Sequence, residues 1–161
     1  MITIINKVKN TANNFELIWR SFYYFIVIVL LFSGISKIVN PMPMLETMKA
    51  VFKVNESLLI LAATILPIIE IGFGLMLVFN ILTKKTLFAV TILFFCFFAF
   101  SVYGTIIGLN NDCGCFGNLV KSEFGPVMII RNSGLFIIAL VIAVSDGSQI
   151  IKKKLFNKVQ I

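Results

Sequence analysis

Asp112-Cys113-Gly114-Cys115-Phe116-Gly117 is where residue type and spacing point most directly to chemistry. Two cysteines one residue apart can close only a very small disulfide ring, and Gly114 gives the backbone the freedom to close it. Strain in so small a ring raises its reduction potential, which makes the bond labile and ready to exchange. Gly117 and Asn118 permit the sharp turns that a tight loop needs. The pair therefore reads first as a thiol–disulfide exchange centre, Cys113 and Cys115 being its reacting residues and Asp112 a supporting neighbour. A static disulfide and two unreacted thiols are the structural alternatives. Metal binding fits poorly, because two thiolates without a third strong ligand fill a Zn or Cu(I) site badly. The chain contains no histidine, which excludes His-ligated haem and His-built metal centres.

Other reactive types lie in apolar surroundings. Cys96 stands among Leu93, Phe94, Phe95, Phe97 and Phe98, seventeen residues before Cys113. That separation is about 25 Å of helical rise, too far for a bond, so Cys96 is expected to be a buried, inert small hydrophobe. Lys37, Glu70 and Arg131 also fall inside apolar stretches. An ionisable group at membrane depth costs about 2.5–3.5 kcal/mol on insertion scales, so such groups face the bundle interior and pair. Helical rise puts Glu70 about 18 Å and Arg131 about 6 Å below the outer boundary. Direct contact between them is marginal on that count, although Arg131 can extend inward and Pro67 can bend its helix. Lys37 or Arg131 near Cys113 or Cys115 would lower the thiol pKa and favour the thiolate. The alternative is a structural clamp between Glu70 and Arg131, with Lys37 snorkelling to the interface. Asn132 can hydrogen-bond across helices as glue.

The elements that must hold these residues follow from hydropathy. Of 161 residues, 59% are hydrophobic and 13% charged, and the mean hydropathy is +1.01. Four uninterrupted apolar blocks run from about 19–39, 58–82, 86–109 and 127–144. Each is long enough to cross a hydrocarbon core of about 30 Å. The fold class expected is all-α, a four-helix transmembrane bundle, with residues 1–161 forming a single membrane domain. Residues 110–126 form the loop that carries the cysteines. Met44, Leu45, Met48, Val51 and Phe52 repeat at helical spacing and predict a short amphipathic helix on the outer surface, an irregular apolar loop being the alternative. Gly104 and Gly108 form a GxxxG that lets another helix approach closely, a neighbour within the bundle or, as the alternative, a second copy in a dimer.

Net charge is +7. The basic residues flank apolar blocks, so they read as topogenic charge and lipid contact, not as a nucleic-acid surface. Lys7, Lys9, Arg20, Lys84, Lys85, Lys152, Lys153, Lys154 and Lys158 fall on one side of a four-crossing chain, against Lys37, Lys49, Lys53 and Lys121 on or near the other. Nine against four puts both termini in the cytoplasm and the cysteine loop outside, with Trp19, Tyr23 and Tyr24 at the inner interface. The outer face of a bacterial inner membrane is an oxidising compartment where disulfides persist.

Taken together, these residues resemble the MauE/DoxX-like family of redox-associated membrane proteins, and the MauE branch most closely. The resemblance covers about residues 20–145. It rests on Leu31-Phe32-Ser33-Gly34-Ile35-Ser36-Lys37 with Pro41, on Leu66-Pro67-Ile68-Ile69-Glu70 with Gly72, on Asp112-Cys113-Gly114-Cys115-Phe116-Gly117 as its most specific part, and on Arg131-Asn132. It implies a multi-pass inner-membrane protein that takes part in forming or maturing disulfides of periplasmic proteins. In the family that role is associated with the disulfide-rich small subunit of methylamine dehydrogenase, and with a thioredoxin-like partner. One cysteine pair can exchange once and must then be reset, by a partner oxidoreductase or by a quinone reaching the loop. Two other readings stand beside this one. The chain is a non-catalytic anchor or assembly factor for a periplasmic redox protein, or it transports a small molecule through a polar centre at Glu70 and Arg131.

Overall fold

The computed structural model describes residues 2–52, 55–109 and 125–145, with side chains from Leu17 onward. Among these residues the chain forms five helices and no strand: α1 (Ile2–Val39), α2 (Met42–Val51), α3 (Glu56–Val78), α4 (Thr83–Ile106) and α5 (Pro126–Val144). Four of them are long and apolar enough to cross a membrane, over Leu17–Val39, Glu56–Val78, Thr83–Ile106 and Pro126–Val144. The chain is thus an all-α, multi-pass membrane protein, as the four apolar blocks require. The short fifth helix, α2, is the one that the spacing of Met44, Leu45, Met48, Val51 and Phe52 predicts.

Local chemistry sets the helix ends. Pro41 disfavours helical backbone at Asn40 and stops α1, and the Asn40 side chain accepts a hydrogen bond from the Met42 N–H at 3.3 Å. Asn55 caps α3 by accepting from the Ser57 N–H at 3.2 Å. Two apolar blocks overrun their helices, for one reason. Asn80 (φ 55) and Gly108 (φ 69) adopt left-handed backbone. Each closes a paired cap: Ile81 N–H donates to Met76 O and Asn80 N–H to Leu77 O, and likewise Leu109 to Gly104 and Gly108 to Thr105. Gly108 therefore ends α4 instead of packing a neighbour on a GxxxG face, which corrects that expectation.

The spans pair as α1 with α3 and α4 with α5, and lesser contacts of α3 with α4 and of α1 with α5 join the two pairs. One half of the bundle has an apolar core of Tyr23, Ile26, Leu30, Leu77, Leu87 and Ile142, beside which α4 buries Thr83, Thr86 and Thr91. Tyr23 belongs to this core instead of the interface: it is buried, and its hydroxyl donates to Leu77 O at 2.7 Å. A buried Tyr needs such a partner for its O–H. The other half, toward α2, buries Ser33, Ser36, Lys37, Glu70, Ser101 and Asn132. The buried charges and the buried amide collect toward the end of the bundle from which α4 leads into the cysteine segment.

Candidate functional site

The polar half begins with a close approach. A Cβ on Gly34 would lie 2.6 Å from Ile71 Cγ1, 3.0 Å from Pro67 O and 3.3 Å from Glu70 Cβ. Only glycine lets α1 rest on α3 at this point, and small residues of this kind let membrane helices touch. The contact also offsets the two helices. The last turns of α1 lie opposite the middle of α3, which continues for eleven residues from Pro67 back to Glu56, roughly 16 Å. α2 fills this step and buries Met44 and Thr47.

The offset decides the ion pair. Side chains on a helix lean toward its N-terminus. Lys37, in the last turn of α1, therefore leans down the bundle, while Glu70 on the antiparallel α3 leans up. They meet: Lys37 Nζ donates to Glu70 Oε1, and the residues are 1% and 0% exposed. Ser33, one turn before Lys37, lies beside the same carboxyl. The ammonium also sits 4.4 Å from the centroid of the Phe97 ring, a favourable cation–π contact in a desolvated site. Two expectations are corrected here. The partner of Glu70 is Lys37, not Arg131, and Lys37 is enclosed instead of snorkelling.

A second polar link continues from Phe97. Its carbonyl accepts from Ser101 Oγ at 2.7 Å, and Ser101 Oγ accepts in turn from Asn132 Nδ2. Asn132 thus ties α5 to α4, as interhelical glue should. Neighbouring Arg131 is half-buried. Through Glu70, Lys37, Phe97, Ser101 and Asn132, all four spans share one polar layer.

Above the ion pair lies a cavity of about 280 Å³. Lys37 contributes to its floor, Met44, Met48 and Phe52 form the α2 wall, and Phe97 and Phe100 the α4 wall. Phe52 and Phe100 stack with centroids 6.2 Å apart. Cys96 also lines the cavity, yet it is exposed on the outside of the bundle. That corrects its expected burial, and it means the cavity reaches the surface beside Cys96. Mean hydropathy cannot separate a core-facing from a lipid-facing position in an all-apolar helix, so Cys96 carried no signal of its facing.

The structure brings together three of the residues singled out in the sequence, Lys37, Glu70 and Asn132, the last through Ser101. Asp112, Cys113 and Cys115 lie outside the described residues. No role of their own was expected of Ser33, Ser36, Phe97 or Ser101. Their signal was present: Ser33, Ser36 and Lys37 recur at i, i+3 and i+4, and Phe97 and Ser101 at i and i+4, the spacing of one helix face.

The family profile described as methylamine utilisation protein MauE matches residues 15–145, which include every residue of the polar layer and the cysteine pair. No curated protein and no solved structure matches the chain.

Proposed function

Since the chain belongs to the MauE family of methylamine-utilisation-associated membrane proteins, we propose that it carries out thiol–disulfide exchange in the maturation of periplasmic disulfide-containing proteins. Cys113 and Cys115 are the exchanging pair. The observation that carries this reading is the Asp112–Gly117 string itself: two cysteines flanking one glycine, inside the family match, in the connection between α4 and α5. The excess of Lys and Arg on the other side of the spans supports a bacterial inner-membrane topology with cytoplasmic termini and this connection in the periplasm.

In the oxidising direction, a substrate thiolate attacks one sulfur of the Cys113–Cys115 disulfide and displaces the other as a thiolate. A second substrate thiolate then resolves the mixed disulfide. Two electrons pass to the pair, the substrate leaves as a disulfide, and Cys113 and Cys115 remain reduced. Arg131 supports the thiolate: it sits five residues into α5, about 7–8 Å from the start of the helix, and a side chain there leans toward the N-terminal, loop end. The polar layer keeps α1, α3, α4 and α5 in register beneath the loop. The partner class is a periplasmic thioredoxin-like oxidoreductase or the disulfide-containing substrate itself.

Replacing Cys113 and Cys115 singly by Ser in the full-length membrane protein tests this. One of the two single variants should accumulate a mixed disulfide with a periplasmic protein, visible as a reductant-sensitive mass shift, and the double variant should not. If neither variant traps an adduct while both still retain a periplasmic partner at the membrane, the chain is an anchor and the exchange reading falls.

A further inference from the structure

We infer that the cavity above Lys37 is a binding site for a lipid-soluble ring compound bearing a carbonyl acceptor, of the quinone class. The inference rests on the proposed exchange chemistry for its purpose, and on the cavity alone for its geometry. Three observations carry it. The first is depth. Cys96, where the cavity meets the bundle surface, lies ten residues from the end of α4 at Ile106 and thirteen from its start at Thr83. Both distances are about 15–20 Å, so the edge of the cavity at Cys96 lies in mid-span, against hydrocarbon. A ligand entering there must come from the lipid.

The second is shape and wall chemistry. At about 280 Å³, the cavity sits at the small end of the roughly 300–1,000 Å³ of ligand pockets, which suits a one- or two-ring head whose tail stays in the bilayer. Phe52, Phe97 and Phe100 make the walls aromatic, and Met44 and Met48 add polarisable, adaptable packing.

The third is the charge that lines it. Lys37 is almost wholly buried, yet it lines the floor. An ammonium has three donors; while Glu70 takes one, a ring carbonyl can take another. An acyl chain would use neither the aromatic walls nor the donor. A quinone accepts two electrons and two protons to become a quinol, the same number that two thiols release on closing one disulfide, so a ligand of this class is the oxidant that a single reduced pair lacks.

The test uses the full chain in phosphatidylcholine nanodiscs, with decylubiquinone as the probe. Trp19 is the only tryptophan and lies near the start of the span Leu17–Val39, at the opposite end of that span from Lys37. It reports non-specific quenching by quinone dissolved in the bilayer. The variant W19F/F100W moves the reporter to the cavity wall. We expect saturable quenching at position 100, several-fold steeper than the linear quenching of Trp19. Adding M48F, which fills the cavity without touching the ion pair, should abolish the saturation. The same saturable quenching should persist after C113S/C115S, because the aromatic walls and the donor that the inference uses come from α1, α2 and α4; a chain that binds but does not exchange would fail the functional reading and keep this one. Linear quenching at both positions overturns the proposal, as does saturation that survives M48F. Strong quenching of the cavity reporter by dibromostearoyl phosphatidylcholine that decylubiquinone does not relieve also overturns it, since the occupant would then be a lipid tail.

Discussion

Two Lys–Glu pairs in this molecule have the same chemistry and opposite surroundings. Lys37 and Glu70 are 1% and 0% exposed, between α1 and α3 in the polar half of the bundle. Lys49 and Glu56 are 43% and 66% exposed, where α2 meets the start of α3. Water can solvate either member of the outer pair alone, so its attraction is offset by side-chain entropy and screened by salt. Neither member of the inner pair has that recourse. Each is the other's replacement for water, and a buried pair is far more costly to break than it was favourable to make. The strength of such a pair is thus a property of where packing has put it.

The largest effect should come from breaking the inner pair on one side. Lys37→Met or Glu70→Leu leaves an uncompensated charge in the bundle and should destabilise the protein by about 3–5 kcal/mol. In detergent unfolding the transition should move to markedly lower denaturant, with loss of membrane-inserted yield. The double replacement Lys37→Met with Glu70→Leu removes both charges and should recover most of that loss. If the double variant is as unstable as the two singles added together, the residues do not act as a pair.

A smaller effect should follow from disturbing the approach that creates the pair. Gly34→Ala sets a methyl against Ile71 and the Pro67 carbonyl and should cost about 1–3 kcal/mol, the usual range for overpacking. Gly72, on the same helix as Glu70, has open space around its Cβ position. Gly72→Ala should leave the unfolding midpoint unchanged or raise it slightly. Equal losses at the two glycines would show that helix contact at Gly34 does not set the offset. The smallest effect belongs to the outer pair. Lys49→Gln should leave the unfolding midpoint within error, in low salt and high; a loss comparable with that of Lys37→Met would remove the contrast between the pairs.

Much of the architecture was legible from hydropathy because a bilayer imposes a length on any apolar segment that crosses it. The four spans agree with the apolar blocks to within a few residues, and the excess past Val78 and Ile106 has a local cause in the left-handed caps at Asn80 and Gly108. The amphipathic spacing from Met44 to Phe52 marks α2 for a similar reason: one face of it finds α3. The site was legible in kind but not in partnership. Lys37, Glu70 and Asn132 are recognisable as buried polar residues from the block that contains each. The clamp between Glu70 and Arg131, one of the two readings of these charges, gives way to Lys37, because α1 ends opposite the middle of α3 and sets Lys37 against Glu70.

The amino-acid sequence by itself determined that this is a four-span membrane protein with a Cys-Gly-Cys connection and a few charges that hydrocarbon cannot leave alone. Those properties depend on what each segment can bury or must satisfy, and each segment carries that information within its own length. Tertiary structure alone decided which charge meets which, that Cys96 faces outward, and that a cavity lies between α2 and α4. Lipid is as apolar as the helices it surrounds, so apolarity cannot choose their relative height or rotation. Small contacts such as Gly34 on Pro67, and the few polar groups that must find each other, make that choice.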